Sequence, residues 1–514
     1  MDEKDRELLL FDAIQQVREA GKSLNMKPKR LLEQIISAKQ NILDPNEWLS
    51  HIGDPMEKIF HAVYQSYQEL LEIQELCDYE DLIFKTVRLL ETKDRVAASY
   101  KNLFRYIFVD EYQDLNYGQY RIIKALVPPG IGKKICVVGD PNQSIYGFRG
   151  SSAKYFKRFV QDYPDAQIVK LTQNYRSTKT ILDGSYQVIQ SQGEKSFKER
   201  IYSEIDGTKT IGVIKADSEK AEAVAIGKTI EKMMGGTGFH SIDFGCVNGQ
   251  PLHNGLGFSD FAVLYRTSEQ SKILSQIFDT AGIPYQIVSR DNILNYKGIA
   301  DVVSLLKIIE ETGNFADFNR SLKITASSIN KKSMEIFKTW CVKKRFSLKS
   351  ALLNARRFPI REKKTKDAIK HLIDLYTHSD VDTKDFLKTC ALQTDTDMYR
   401  NQSERVALMT MHASKGLECP IVFICGCENG LLPFQAKDAD TPNTEEERRL
   451  FYVAMTRAQH RLFITYSKKR KRFGKIEKQT LSPFVREIEK DLITQETSEV
   501  PKNNRTGQRQ LKLF

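Results

Sequence analysis

The sequence has no run of apolar residues long enough to cross a bilayer, and its first thirty residues are charged where a signal peptide would be apolar. We therefore expect a cytoplasmic protein with no membrane partner. Cysteine is also sparse: eight residues are scattered along the chain, and only Cys425 and Cys427 lie close together, inside an apolar stretch predicted as a strand. This pattern predicts buried thiols in a reducing compartment rather than a metal site.

A phosphate-binding loop of the form GxxxxGK[ST] is missing from the sequence as well. Such a loop wraps backbone N–H groups around phosphates, while its lysine reaches the terminal phosphates and its hydroxyl meets magnesium. A Gly-Lys-Ser occurs at residues 21–23, but Gln16 stands where the first glycine would be. The apolar residues ahead of it recur at a helical period, at Leu10, Ile14 and Val17. We therefore predict a helix that ends near Gly21, and no phosphate contact for Lys22.

The composition is that of an ordinary soluble globular protein, with 41% hydrophobic and 28% charged residues. A chain of 514 residues is long enough for about two to four domains with sizeable cores. The formal net charge of +12 fits a polyanionic partner, although a basic surface by itself does not identify one.

The hydrophobic pattern changes along the chain. Residues 1–95 carry repeated Leu/Ile periodicity, which predicts helices. Short apolar strands followed by polar residues then appear in YIFVDEYQD, ICVVGDPNQS and IVKLTQNYRS. A second such block includes FSDFAVLYRT and IPYQIV, and it resumes after a lysine-rich helical stretch with RVALMT, PIVFICG and RLFITY. Strands alternating with helices predict an α/β fold with a parallel sheet, in which sites gather at the carboxyl ends of strands.

Two carboxylates, Asp110 and Glu111, directly follow the predicted strand at 106–109. Adjacent carboxylates at a strand end suit magnesium coordination by the first and activation of water by the second, as phosphoryl transfer requires. A surface pair is the alternative for such a dipeptide taken alone. The motif GDPNQSIYGFRG that follows strengthens the chemical interpretation.

In that motif, Gln143 leaves the strand at a position where its amide could orient water or sense a γ-phosphate. Tyr146, Phe148 and Arg149 follow, and their rings and guanidinium could stack on unpaired bases. Packing of the aromatic side chains inside the loop is the alternative.

Two arginines, Arg176 in QNYRST and Arg457 on the predicted helix EEERRLFYVAMTRAQ, come from different α/β blocks. We expect them to meet in the cleft between the blocks and to stabilise charge on a transferring phosphoryl group, although surface ion pairs are the alternative for each. The motif MTMHASKGLE adds Lys415, Gly416 and Glu418. A glycine there lets the backbone approach a ligand, and Glu418 is placed to accept hydrogen bonds from a ribose.

Six motifs resemble those of the UvrD/Rep/PcrA-like DNA helicases of superfamily one, and they occur in the family's order. The resemblance covers about residues 26–485. The motifs are VDEYQD, GDPNQSIYGFRG, LTQNYRST, AVLYRTSEQSKIL, MTMHASKGLE and EEERRLFYVAMTRA. The resemblance implies two RecA-like motor domains that close and open around ATP and Mg²⁺. It implies ATP-driven 3′-to-5′ translocation on single-stranded DNA and unwinding at single-strand/duplex junctions, in repair, replication or recombination.

The resemblance also implies a domain organisation. Residues 1–95 form the helical insertion of the first motor domain, and residues 96–195 form the remainder of that domain. Residues 196–300 and 403–485 form the second motor domain around a helical insertion at 301–402. Residues 486–514 lose periodicity and form a flexible tail.

Carried over by motif, Asp110 binds magnesium, and Glu111 is the catalytic base beside it. The nucleotide contacts are the γ-phosphate sensor Gln143, the γ-phosphate arginines Arg176 and Arg457, and the ribose ligand Glu418. The positions that approach DNA in the family are Tyr146, Phe148, Arg149, Arg266, Thr267, His412 and Phe473. The family more often has tryptophan where this chain has Phe148, an exchange that weakens stacking without removing it.

One departure from the family is large. The family begins with a glutamine motif, a P-loop and a further DNA-contacting motif, none of which occurs in this sequence. Without the P-loop the β- and γ-phosphates lose their main ligands, and the first parallel sheet lacks strands that would cover an apolar edge and face. Three accounts remain open: a P-loop on a separate polypeptide of a longer or split enzyme, a truncated frame that no longer hydrolyses ATP, or an ATPase-inactive DNA-binding or interaction module.

The residues QLKLF at 510–514 resemble peptides that dock on bacterial sliding clamps. Such peptides bury leucine and phenylalanine in an apolar pocket from a disordered tail. The clamp contacts implied are Gln510, Leu511, Leu513 and Phe514.

Overall fold

The computed structural model describes residues 3–21, 27–49, 55–129, 134–147, 150–190, 200–235, 256–288, 403–435, 443–472 and 474–496, with a few positions between 301 and 320. The chain forms two compact units. The first comprises Met1–Asp140, Tyr146–Ala166 and Arg290–Met398, and the second comprises Pro141–Ile145, Gln167–Ser289 and Tyr399–Phe514. Within the described ranges, no helix has both the length and the apolar character needed to span a bilayer.

The first unit opens with six helices, as the Leu/Ile periodicity predicts: α1 Glu3–Glu19, α2 Pro28–Gln40, α3 Pro45–Leu49, α4 Pro55–Ile73, α5 Tyr79–Thr92 and α6 Asp94–Leu103. A capping box at Asp78 and Asp81 starts α5. The apolar faces of α1, α2 and α4 share one core. Helix α1 ends just before Gly21, which confirms the helix end predicted there, and Lys22 lies outside the described residues.

A small parallel sheet follows, formed by β1 (Tyr106–Val109) and β2 (Lys134–Val137), with α7 (Tyr117–Leu126) and α8 (Lys154–Asp162) in the same unit. In the described part of the chain no third strand joins this sheet. One face packs on a core that includes Tyr112 and Phe159. On the other face Tyr106 is 56% exposed and Phe108 is 75% exposed. Parallel sheets are normally covered on both faces, so this exposed face is one that another element would normally cover.

The strand predicted in IVKLTQNYRS does not form. Residues 166–172 have no strand assignment, and Ile168, Val169 and Leu171 are 63%, 72% and 81% exposed. A β-prone segment becomes a strand only where a neighbouring strand can take its backbone hydrogen bonds. Among the described strands none pairs with this segment, whose single recorded pairing is an isolated bridge between Gln173 and Tyr202.

The second unit contains a seven-stranded sheet in the order β11-β3-β8-β7-β4-β6-β5, and every pairing in it is parallel. The strands are β3 Ile211–Ala216, β4 Phe261–Tyr265, β5 Tyr285–Val288, β6 Val406–Thr410, β7 Cys419–Ile424, β8 Ala458–Ser467 and β11 Ile493–Glu496. The described helices of this unit are α9 Lys179–Gln190, α10 Glu219–Met233, α11 Glu269–Ala281, α12 Thr444–Met455 and α13 Pro483–Arg486. A hairpin of β9 (Lys469–Arg472) and β10 (Lys475–Lys478) follows β8. The predicted α/β class and the parallel sheet of the second block are confirmed.

The predicted tail begins too early. Strand β11 pairs with the edge strand β3 and so extends the sheet to Glu496, because an exposed sheet edge offers backbone partners even to a segment without clear periodicity. Residues 497–514, including the clamp-like peptide, lie outside the described residues. The same holds for nearly all of the predicted insertion at 301–402.

The boundary predicted at residue 195 does not coincide with the division into compact units. Residues 167–195, which the sequence assigns to the first motor domain, group with the second unit. The domain assignment itself stays a prediction.

Cys425 and Cys427 are buried, as expected, although they lie just after β7 and not inside it. Burial raises the pKa of both thiols, so they stay protonated and unreactive near neutral pH. Cys77 and Cys136 are exposed.

With iodoacetamide, we expect the two exposed thiols to react at least about tenfold faster than the buried pair, measured by peptide mass spectrometry. Equal rates in the native protein would contradict this burial, and labelling in denaturant is the control.

Candidate nucleotide and DNA site

The first group of predicted site residues lies at the carboxyl end of β1. Asp110 and Glu111 are both exposed there, and the Glu111 backbone adopts a left-handed conformation with φ 50° and ψ 42°. The backbone N–H of Glu111 donates a hydrogen bond of 2.8 Å to Asp110 Oδ1. A left-handed conformation in a residue other than glycine costs about 1–3 kcal/mol and is found preferentially at functional sites.

A buried glutamine, Gln113, joins this turn to the segment after β2. Its Nε2 donates to the Glu111 carboxylate, and its Oε1 accepts a 3.0 Å hydrogen bond from the Asp140 N–H. A Cβ at Gly139 would lie 2.2 Å from Gln113 Oε1, so this approach requires glycine. Gln113 was not among the predicted site residues, although its position two residues after Glu111 in VDEYQD could have indicated a role at this site.

The carboxylates of Asp110 and Glu111 fit a magnesium ion bound together with a phosphate substrate. Mg²⁺ in such sites takes one or two protein carboxylates and completes its shell with phosphate oxygens and water. In the ranges that the structure describes, no cluster of three or more His, Cys, Asp or Glu residues could hold a metal by itself. Asp110 would hold the ion, and Glu111 would accept a proton from water.

The second group of predicted residues lies around the loop 411–418, which connects β6 to β7 and turns at Gly416 with φ +87°. Glu418 accepts hydrogen bonds from Arg176 Nε and, at 3.0 Å, from Gln459 Nε2. The half-exposed Arg176–Glu418 ion pair holds both side chains at the start of β7. Glu418, the predicted ribose ligand, therefore already has two protein partners.

The same loop contacts Arg457 and Gln143. Arg457 is buried, and its Nη1 donates to the Leu417 carbonyl at 3.2 Å while its Nε donates to the Val453 carbonyl at 3.0 Å. Lys415 Nζ donates to the Gln143 carbonyl at 2.9 Å. The second unit thus brings together four of the predicted nucleotide residues, namely Gln143, Arg176, Glu418 and Arg457.

Two expectations about the arginines are corrected. Arg176 and Arg457 belong to the same compact unit, because the residues after Arg176 are bound to the start of β8: Ser177 Oγ donates to the Ala458 carbonyl at 2.6 Å. Arg457 lies just beyond α12, which ends at Met455, and its position is set by the turn into β8.

Two predicted nucleotide residues and three predicted DNA residues lie at opposite ends of the strands of the sheet. Glu418 and Arg457 immediately precede β7 and β8, at the amino ends of these strands, whereas Arg266, Thr267 and His412 follow β4 and β6 at their carboxyl ends. In a parallel sheet the amino ends of all strands lie at one end of the sheet and the carboxyl ends lie at the other. The expectation that sites gather at the carboxyl ends therefore matches the positions of Arg266, Thr267 and His412 and is wrong for Glu418 and Arg457.

The predicted DNA residues are partly engaged within the protein. Arg266 Nη2 lies 2.7 Å from Glu447 Oε1, and its guanidinium lies 4.8 Å from the centre of the Phe434 ring. Thr267 donates its N–H to Gln270 Oε1 at 3.0 Å. His412 and Tyr146 are half-buried. Phe148, Arg149 and Phe473 lie outside the described residues, and the DNA role of all seven positions stays a prediction.

A buried ion cluster anchors the basic hairpin β9–β10, and the sequence did not reveal it. Arg470 Nε donates to Glu428 Oε2 and its Nη2 to Glu428 Oε1, both at 2.8 Å, and Nη2 also donates to Glu222. Burial lowers the pKa of Arg470, but Glu222 and Glu428 together raise it above its usual range. The cluster fixes strand β9 of the hairpin through Arg470.

Comparison with known families identifies the class of this protein. A model of the UvrD/REP helicase N-terminal domain matches residues 1–164, and a model of the UvrD-like helicase C-terminal domain matches residues 169–377 and 360–469. Both models describe helicases. The chain belongs to the UvrD/REP family of helicases.

Individual relatives agree with this assignment. The ATP-dependent DNA helicase PcrA of Staphylococcus epidermidis RP62A is 30% identical over 558 residues, which cover 97% of this chain and 73% of the relative. PcrA of Staphylococcus aureus Mu50 is 30% identical over 556 residues with the same coverage. Among solved structures, the C-terminal domain of a possible DNA helicase from Lactobacillus plantarum matches 63% of this chain and 98% of its own, at 11% identity and a TM-score of 0.26, which is too low to support an argument.

Proposed function

We propose that this chain is the motor of a UvrD-type DNA helicase, which uses ATP and Mg²⁺ to translocate 3′-to-5′ on single-stranded DNA through two RecA-like domains. The observation that carries the proposal is the strained turn at Asp110 and Glu111, together with the grouping of Gln143, Arg176 and Arg457 in a chain of this family. ATP supplies the transferable phosphoryl group.

In this proposal Asp110 holds magnesium, and Glu111 takes a proton from the attacking water. Phosphoryl transfer needs positive charge around the transferring group, which Arg176 and Arg457 provide. Arg457 is buried and donates to the backbone carbonyls of Val453 and Leu417. These contacts hold its guanidinium beside the loop that carries Glu418.

We further propose that the phosphate cradle comes from a polypeptide segment outside these 514 residues. Two observations support this: the sequence contains no GxxxxGK[ST], and the face of the β1–β2 sheet exposes Tyr106 and Phe108. An exposed apolar sheet face of this kind is typical of a surface that another element covers.

The alternative is an ATPase-inactive protein that binds single-stranded DNA, or a sliding clamp through the residues at 510–514. The missing phosphate loop favours it. The preserved Asp110, Glu111, Gln143, Arg176 and Arg457 favour the motor, because a binding module has no physical need for all five.

The deciding measurement is ATP hydrolysis by the chain with oligo(dT), alone and after addition of a separate polypeptide that contains a GxxxxGK[ST] loop of this helicase family. We expect the chain alone to bind oligo(dT) at low salt, with an affinity that falls as salt rises, and to turn over ATP only with the added segment. Turnover by the chain alone that disappears in Glu111→Gln would overturn the missing-cradle proposal. No binding of oligo(dT) at low salt would overturn both the motor and the DNA-binding alternative.

The exposed sheet face gives a second test of the same proposal. Tyr106→Ser with Phe108→Ser should abolish complementation by the added segment and leave oligo(dT) affinity within about twofold of wild type, because neither substituted side chain is a cation that could contact DNA phosphates. The matched control is Tyr79→Ser with Leu82→Ser, a pair on α5 that is 45% and 56% exposed. Equal complementation by both double variants would contradict a docking role for the sheet face.

A further inference from the structure

Arg449 on α12 contacts the backbone of the segment that carries Gln143. Its Nε donates a 2.7 Å hydrogen bond to the backbone carbonyl of Ser144. In the described ranges no carboxylate lies within ion-pairing distance of this guanidinium, whereas the adjacent Arg448 pairs with Glu487. Burial lowers the pKa of Arg449, although Glu446 and Glu445 oppose that change. A half-buried cation held mainly by one carbonyl calls for a reason other than ion pairing.

The carbonyl belongs to the segment Pro141–Ile145, which carries Gln143. Two cations hold the backbone of this segment: Lys415 donates to the Gln143 carbonyl, and Arg449 donates to the Ser144 carbonyl, the next one along the chain. Hydrogen bonds from charged donors are about twice as strong as neutral ones. The segment groups with the second compact unit, although its neighbours in the chain, Asp140 and Tyr146, group with the first.

Arg449 and Arg457 are linked through the same helix. α12 ends at Met455, and Arg457 Nε donates back to the carbonyl of Val453 in its last turn. Helix α12 therefore connects Arg449, which contacts Ser144, to the guanidinium of Arg457, which lies just beyond the last residue of the helix.

We propose that Arg449 is a positioning residue that holds the segment carrying Gln143 on α12, so that Gln143 and Arg457 keep a fixed geometry. The proposal rests on the proposed function, in which Arg457 supplies positive charge to the transferring phosphoryl group, and on the γ-phosphate sensor role that the family motif implies for Gln143. Arg449 itself touches neither the phosphate nor the metal. Its effect acts through the Ser144 carbonyl, and small misplacements of catalytic groups are costly in rate.

Hydrogen exchange of the full chain tests the contact without any need for ATP turnover. In Arg449→Met, which keeps length but has no donor, we expect amides in peptides covering residues 139–147 to exchange at least about tenfold faster. Arg449→Lys keeps a charged donor and should recover most of the protection. Arg461→Met is the matched control, because Arg461 pairs with Glu496 at 3.2 Å elsewhere on the sheet.

Each exchange outcome is decisive. Faster exchange confined to residues 139–147 supports the proposal, whereas wild-type exchange there, or a uniform increase over the whole chain, overturns it. If the wild-type protein does not hydrolyse ATP even after complementation, the proposed function is wrong, but the exchange result for the Arg449 contact still holds.

The complemented protein provides a kinetic test. Arg449→Met should lower kcat for ATP hydrolysis by roughly tenfold and change KM by less than about twofold, because Arg449 places a group and does not bind the nucleotide. Arg449→Lys should restore most of kcat. A wild-type kcat in Arg449→Met, or a loss of kcat that lysine does not repair, would overturn the positioning role.

Discussion

Replacing Glu111 by glutamine is expected to lower DNA-stimulated ATP hydrolysis by the complemented protein at least about 100-fold. The glutamine side chain has nearly the same shape and can still bond to Gln113, but it cannot accept a proton from water. The measurement is steady-state ATP hydrolysis at saturating oligo(dT), with oligo(dT) affinity measured in parallel. We expect the affinity to be unchanged, because the substitution removes only the base.

Glu91→Gln is the matched control for this experiment. Glu91 pairs with Arg121 at 2.6 Å in the same compact unit and belongs to none of the predicted site residues. Its loss should leave hydrolysis within about twofold of wild type. Hydrolysis at the wild-type rate in Glu111→Gln would show that another group is the base, and equal losses in both variants would point to damage of the unit as a whole.

The second large effect is expected for Arg470→Met, which should destabilise the second unit by about 3–5 kcal/mol. The substitution leaves Glu222 and Glu428 buried without their counter-ion. Glu222 also accepts hydrogen bonds from the Gly426 N–H at 2.8 Å and the Thr465 hydroxyl at 2.6 Å, so it cannot move out to water without breaking them. The loss in free energy of unfolding therefore includes the cost of a buried charge without a counter-ion, and not only the loss of the hydrogen bonds.

The unfolding of this unit can be followed by iodoacetamide labelling of the buried Cys425 and Cys427 along a urea series. These thiols report on the second unit alone, which matters because a chain with two compact units need not unfold in one step. Adding Glu428→Gln to Arg470→Met should recover part of the loss, because it removes one uncompensated charge. An Arg470→Met protein with the wild-type urea midpoint would contradict the buried cluster, and Arg461→Met is the control for loss of a less buried arginine.

Much of the secondary structure could be predicted because its determinants are local. Apolar residues at a helical period predict α1 to α5, and apolar runs predict β4, β6, β7 and β8. Two of the errors, the absent strand in IVKLTQNYRS and the unpredicted strand β11, have one cause. A strand depends on whether a neighbour supplies backbone partners, and that neighbour is distant in sequence: β11 pairs with β3, whose residues precede it by about 280 positions.

The sequence by itself determined which residues are predicted to form the site. The motifs name Asp110, Glu111, Gln143, Arg176, Glu418 and Arg457, because carboxylate pairs after a strand and arginines in fixed motifs can be recognised without coordinates. It also determined that no phosphate loop is present in these 514 residues.

Only the tertiary structure decided which of these residues are held together and by what. Arg176 meets Glu418 across 242 positions, Arg470 meets Glu222 across 248, and Arg449 meets the Ser144 carbonyl across 305. No local pattern encodes such pairs, because each depends on the order of strands in the sheet and on the burial that makes an unpaired charge costly. For the same reason the face of β1 that exposes Tyr106 and Phe108 was identified only once the pairing of β1 with β2 and the burial of each side chain were known.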